Sequence, residues 1–99
     1  MSSDLQLVET VEKEVLSTLH YPATDVLTNP VTRQQRHHDA ARAALLGNSY
    51  HGKVDIYFRT ADGATKRVYT TVWAADEEYL ALKAGGALPV RAVLRFEFY

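Results

Sequence analysis

The chain reads as an α+β domain in which two N-terminal helices precede an antiparallel meander of four to five strands. Three observations predict this. Apolar residues recur at three- and four-residue intervals as far as Leu46, alternation with a period of two takes over from Tyr50, and Gly, Pro and Asp signals cut the second half into short segments. Two helical stripes and one sheet face must be buried together. A bent sheet curled into a small barrel achieves that, and so does an open sheet with helices on one face.

Ser3 followed by Gln6 has capping-box spacing, and behind it Leu5, Val8, Val11, Val15, Leu16 and Leu19 trace an amphipathic stripe. Glu9 and Lys13 form a favourable i,i+4 pair on its polar side. His20, Tyr21 and Pro22 close the segment, because proline disfavours helix in the residue before it. Residues 22–29 then read as a connection. Asn29 and Pro30 form an N-cap with proline at the first helical position, where its missing N–H costs little. The second helix passes through Arg33, Arg36 and an alanine-rich run to Leu45 and Leu46, and stops at Gly47 and Asn48.

Val54, Ile56 and Phe58 alternate with Lys53, Asp55, Tyr57 and Arg59, which predicts a strand with one buried face. Asp62-Gly63 is a hairpin signal, after which Val68, Thr70, Val72 and Ala74 alternate with Tyr69, Thr71 and Trp73. Asp76, Glu77 and Glu78 make a polar turn before a short third strand, Tyr79 to Lys83. Ala84-Gly85-Gly86 turns the chain into a last segment, Leu88 to Tyr99. Pro89 belongs at a strand start or edge, and a break is expected near Arg91 to Val93. The whole chain, 1–99, is one domain, helical over 1–48 and sheet over 49–99.

The runs Leu45-Leu46-Gly47-Asn48, Gly52-Lys53-Val54, Thr70-Thr71-Val72-Trp73-Ala74, Leu82-Lys83 and Leu88-Pro89-Val90 resemble a group of short, uncharacterised bacterial proteins with helices ahead of a strand meander. That group has no assigned activity and lends no catalytic residues. Residues 52–98 also look like the Sm-like and SH3-like small barrels, in which two long bent strands, a short third and a proline-containing fourth lead through a tight turn to a short fifth. The resemblance implies a fold. The second strand has no glycine bend, and the Asp/Asn pair with which Sm proteins bind uridine is missing.

With no cysteine, the chain has no disulfide, thiolate nucleophile or cysteine zinc site, and a small core without such staples is expected in the cytoplasm. No stretch approaches the length of a membrane span. Net charge is −1, unevenly spread. Residues 1–30 hold five acids against Lys13, a balance of −4, and residues 31–99 hold ten Lys or Arg against seven acids, a balance of +3. An acidic segment beside a mildly basic remainder is either a solvated face or a cover over the basic surface.

His20, His37, His38 and His51 carry the right chemistry for a metal at the wrong spacing, since adjacent helical residues point about 100° apart. Asp39 has Arg36 and Arg42 as i±3 partners. Ser49 near His51 has no glycine elbow, and Ala84-Gly85-Gly86 has neither Walker nor dinucleotide spacing. No metal, cofactor or catalytic residue is therefore expected. The informative feature is an interleaving of aromatics and bases: Tyr57 and Arg59 on one strand, and Lys66, Arg67, Tyr69 and Trp73 on or beside the next. Such a face either binds a partner or lies under a helix as core. The C-terminal Leu94 to Tyr99 alternates as an edge strand suited to pairing with another chain. These features predict a non-catalytic module that binds protein or its own copy. The alternative is an Sm-like single-strand nucleic-acid binder using Lys53, Arg59, Lys66, Arg67, Trp73, Arg33 and Arg36.

Overall fold

The computed structural model describes residues 8–99. In chain order its elements are β1 (Glu9–Thr10), a 3₁₀ helix (Lys13–Thr18), α1 (Pro30–Tyr50), β2 (Val54–Arg59), β3 (Thr65–Thr70) and β4 (Val72–Ala75). There follow β5 (Tyr79–Leu82), a 3₁₀ turn (Lys83–Gly85), β6 (Ala87–Pro89), a second 3₁₀ turn (Val90–Ala92) and β7 (Val93–Glu97). The α+β class stands, with one main helix where two were expected. Among the described residues seven strands form two sheets, ordered β1-β3-β2-β7 and β4-β5-β6, and they do not close into a barrel.

The expected first helix is the largest departure. The capping box at Ser3 and Gln6 and the start of the stripe at Leu5 lie outside the described residues. Beyond them, Glu9 and Thr10 pair parallel with Lys66 and Arg67, and the Val11 N–H donates to the Arg67 carbonyl at 2.8 Å. The open edge of β3 satisfies backbone groups that a helix would otherwise satisfy locally. Val8, Val11 and Val15 are β-branched and weak helix formers, so little opposes this. Glu9 accordingly pairs with Lys66 rather than Lys13, and only Leu16 of the 3₁₀ helix is fully buried.

The second expected helix begins as read, with the Asn29 side chain accepting from the Val31 N–H at 2.7 Å and Pro30 at the first position. It continues past Gly47 to Tyr50, and His51 takes the left-handed conformation at its end, with φ 54°. Gly47 serves close approach instead. A Cβ there would stand 2.1 Å from the Val72 carbonyl oxygen. Arg36, Ala40, Ala43 and Gly47 make one buried face at helical spacing, and α1 packs it against β4 and β7.

β2 and β3 form the expected hairpin, with Val54 opposite Thr70 and Ile56 opposite Val68, turning at Gly63 with φ 88°. The second strand is broken in two at Thr71, a buried corner whose carbonyl accepts from the Lys83 N–H at 3.0 Å. Residues before it belong to one sheet and residues after it to the other. The break expected near residues 91–93 is the turn Val90–Ala92, after which β7 returns to β2 with Ile56 opposite Phe96. Ile56, Phe58, Val68, Val72, Leu80, Leu88 and Val93 fill the space between the sheets and are almost fully buried. No helix of the described residues is long and apolar enough to cross a membrane.

Candidate interaction surface

Alternation along β2 puts Ile56 and Phe58 in the core and Asp55 and Tyr57 on the outer face of the four-stranded sheet. Register completes the row, because Tyr57 lies opposite Arg67 on one side and Arg95 on the other, while Asp55 lies opposite Tyr69 and Glu97. Among the described residues α1 packs chiefly on β4 and β7, not on β2 or β3. Tyr69 is 51% exposed and Tyr99 81%.

Tyr57 is the centre of the arrangement. The Arg95 guanidinium lies 3.9 Å from its ring centroid and that of Arg67 5.8 Å, so the ring is buried between two cations rather than beneath a helix. Its hydroxyl donates to Glu97 at 3.1 Å and accepts from Arg67 at 3.3 Å. Arg95 holds the other Glu97 oxygen at 2.7 Å, and these hydrogen bonds from Arg95 and then Tyr57 keep the Glu97 carboxyl below its ordinary range. Arg67 also donates twice to Thr10, at 3.0 and 2.6 Å, and stands 3.8 Å from Asp55. The Tyr99 hydroxyl donates to Asp55, which together with desolvation pushes its pKa up to about 12. Tyr69 and Tyr99 meet edge to face, with centroids 6.1 Å apart, and Lys53 stands 5.6 Å from the Tyr69 ring. Thr10, Asp55, Arg67, Tyr69 and Tyr99 line a shallow depression of about 400 Å³.

Of the residues that the sequence singles out, this face gathers Tyr57, Arg67 and Tyr69. Arg59 is half-buried at the end of β2. Lys66 falls on the opposite side, in step with Val68, where it lines a cavity with Leu19 and His20 and pairs with Glu9 at 2.6 Å. Trp73 lies beyond the Thr71 corner, half-buried against the His51 ring at 5.6 Å. Arg33 and Arg36 are remote from the face. Arg36 is buried and grips Asp25 with two hydrogen bonds, 2.9 and 2.6 Å, and the Val93 carbonyl with a third at 3.0 Å. Arg33 donates to the Leu27 carbonyl at 2.7 Å. Burial raises the Asp25 pKa, but the Arg36 hydrogen bonds, the Leu27 N–H and the charges of Arg36 and Arg33 outweigh it and hold the carboxyl low. These arginines clamp the connection before α1.

Asp55 and Thr10 join the face without having been singled out, and Arg95, Glu97 and Tyr99, read in sequence only as part of the Leu94–Tyr99 edge strand, join it as well. Their common signal is the alternation of Arg95, Glu97 and Tyr99, which acquires meaning only once β7 is placed beside β2. His37 and His38 have ring centroids 6.5 Å apart, and among the described residues no three of His, Asp or Glu converge as a metal site. Comparison of the chain with protein-family models, with curated proteins and with solved structures finds no match.

Proposed function

We propose that this chain is a non-catalytic interaction module that binds a polypeptide, either a partner protein or its own copy, through the outer face of β1-β3-β2-β7 and the edge of β7. One observation carries the reading: beside the exposed tyrosines, the two arginines of this face are already matched by acids. Arg67 is matched by Asp55 and Arg95 by Glu97. A phosphate backbone would have to displace these acids, whereas a polypeptide of mixed charge meets both signs. Tyrosine and arginine are also the residues enriched where proteins bind one another. The absence of cysteine favours a cytoplasmic setting.

The second reading, an Sm-like single-strand nucleic-acid binder, draws support from the exposed pair Tyr69 and Tyr99 with Lys53 beside it, since bases stack on such rings. Replacing Tyr69 by a photoreactive phenylalanine analogue and irradiating native cells separates the two. Adducts that resist nuclease and collapse with protease support the polypeptide reading. Adducts abolished by nuclease overturn it, as does an adduct pattern indistinguishable from that of the same analogue at Leu45, which is exposed on α1.

A further inference from the structure

Among the described residues four strands end a sheet, and three of those edges are blunted. β1 is two residues long, β6 carries Pro89, and the Asn48 side chain meets β4 by donating to the Trp73 carbonyl at 2.7 Å. β7 is the exception. Arg36 reaches its first carbonyl, at Val93, but from Leu94 to Glu97 no hydrogen bond among the described residues reaches the backbone from outside the β2 ladder. β7 carries an irregularity at Leu94, between Val93 opposite Phe58 and Arg95 opposite Tyr57, and both Leu94 and Phe98, the latter under the Arg42 guanidinium at 4.0 Å, are only half-buried at this edge.

Resting on the polypeptide-binding reading, we propose that the edge takes a second copy of this chain, β7 pairing antiparallel with the partner's β7 about a two-fold axis at Phe96. The sequence of β7 selects that register. An isologous antiparallel pair places residue i opposite residue 2n − i when the axis passes residue n. With the axis at Phe96, Arg95 faces the partner's Glu97 and Glu97 the partner's Arg95 on the outer face, and the four charges alternate in a square. At either end of the pairing the half-buried Leu94 falls opposite the partner's half-buried Phe98. An axis at Arg95 sets arginine against arginine, and one at Glu97 sets glutamate against glutamate, both unfavourable. The product is a continuous sheet of eight strands, two sets of the four observed, with the Tyr57 rows of both copies on one side.

Charge reversal tests the register, because Arg95 and Glu97 exchange roles across the axis. In sedimentation velocity of the full chain, the expected result is a dimer that dissociates on dilution. Arg95→Glu alone and Glu97→Arg alone each weaken it by about tenfold or more. Mixing the two single variants, or combining them in one chain, restores the dimer, because every opposed pair is again unlike. A wild-type chain still monomeric at about 100 µM overturns the proposal, as does a mixture no tighter than either variant alone. Should a reversal fail to fold by circular dichroism, Leu94→Glu at the half-exposed edge must weaken the dimer, and unchanged association then overturns it. Protease-sensitive adducts from position 69 in a monomeric chain sink this inference alone; nuclease-sensitive adducts sink the reading beneath it.

Discussion

Replacing Gly47 with alanine sets two physical effects against each other. Alanine in a helix interior is favoured over glycine by about 1 kcal/mol. The new Cβ, however, would lie 2.1 Å from the Val72 carbonyl oxygen and 2.9 Å from the Thr71 methyl, more than 1 Å inside van der Waals contact. The nearest atom is backbone in β4, so no rotamer change relieves it. α1 must lift from β4, which costs about 1–3 kcal/mol of overpacking and repacking, together with about 1 kcal/mol for the Asn48 bond to the Trp73 carbonyl. The net expectation is a loss of about 1–3 kcal/mol, read in calorimetry as a midpoint lowered by about 5–20 °C. A midpoint unchanged or raised would show that α1 does not sit this close, and the packing account would fail with it.

Gly63→Ala isolates the opposite case. Nothing stands within 4 Å of a Cβ there, so the cost is the positive φ alone, about 1–2 kcal/mol in urea unfolding. Arg36→Met should lower stability by about 2–4 kcal/mol, somewhat below the usual cost of orphaning a buried charge because Asp25 keeps 19% exposure and the Leu27 N–H. The acid limb should change as well. The Asp25 pKa is depressed in the folded state, so its contribution is complete above the ordinary carboxylate value of about 4 and is lost as pH falls through the folded value. Urea unfolding from pH 5 downward should therefore steepen for the native chain and flatten for Arg36→Met. Tyr57→Phe keeps the ring between the guanidinium groups but removes the hydroxyl joining Glu97 and Arg67. It should cost about 1 kcal/mol in urea unfolding while photo-adducts from position 69 persist.

Local chemistry was legible. Asn29-Pro30, the Val54/Ile56/Phe58 alternation and Asp62-Gly63 each declare an element through contacts a few residues apart, and the structure places those elements as read. What escaped depends on partners far along the chain. Glu9 meets Lys66 and Val11 meets Arg67, so the apolar period around them describes one side of an edge strand and a 3₁₀ helix as well as it describes a helix. The two-residue period runs through Thr71 without interruption, yet the chain turns there from one sheet to the other. Gly47-Asn48 looks like a helix stop because glycine tolerates left-handed backbone, whereas here its missing Cβ admits β4. The surface divides the same way. Tyr57, Arg67 and Tyr69 share a hairpin and were legible as neighbours, but Arg95, Glu97 and Tyr99 join them through a pairing some forty residues distant in sequence.

The most direct test is one size-exclusion run of the untagged chain with light scattering and absorbance at 260 and 280 nm, at low and at high salt. A polypeptide-binding module should elute with the absorbance ratio of protein alone at both salts, at a scattering mass that is a whole multiple of the chain. A species rich in 260 nm absorbance that high salt strips to bare protein would contradict the account and return the outer face to nucleic acid.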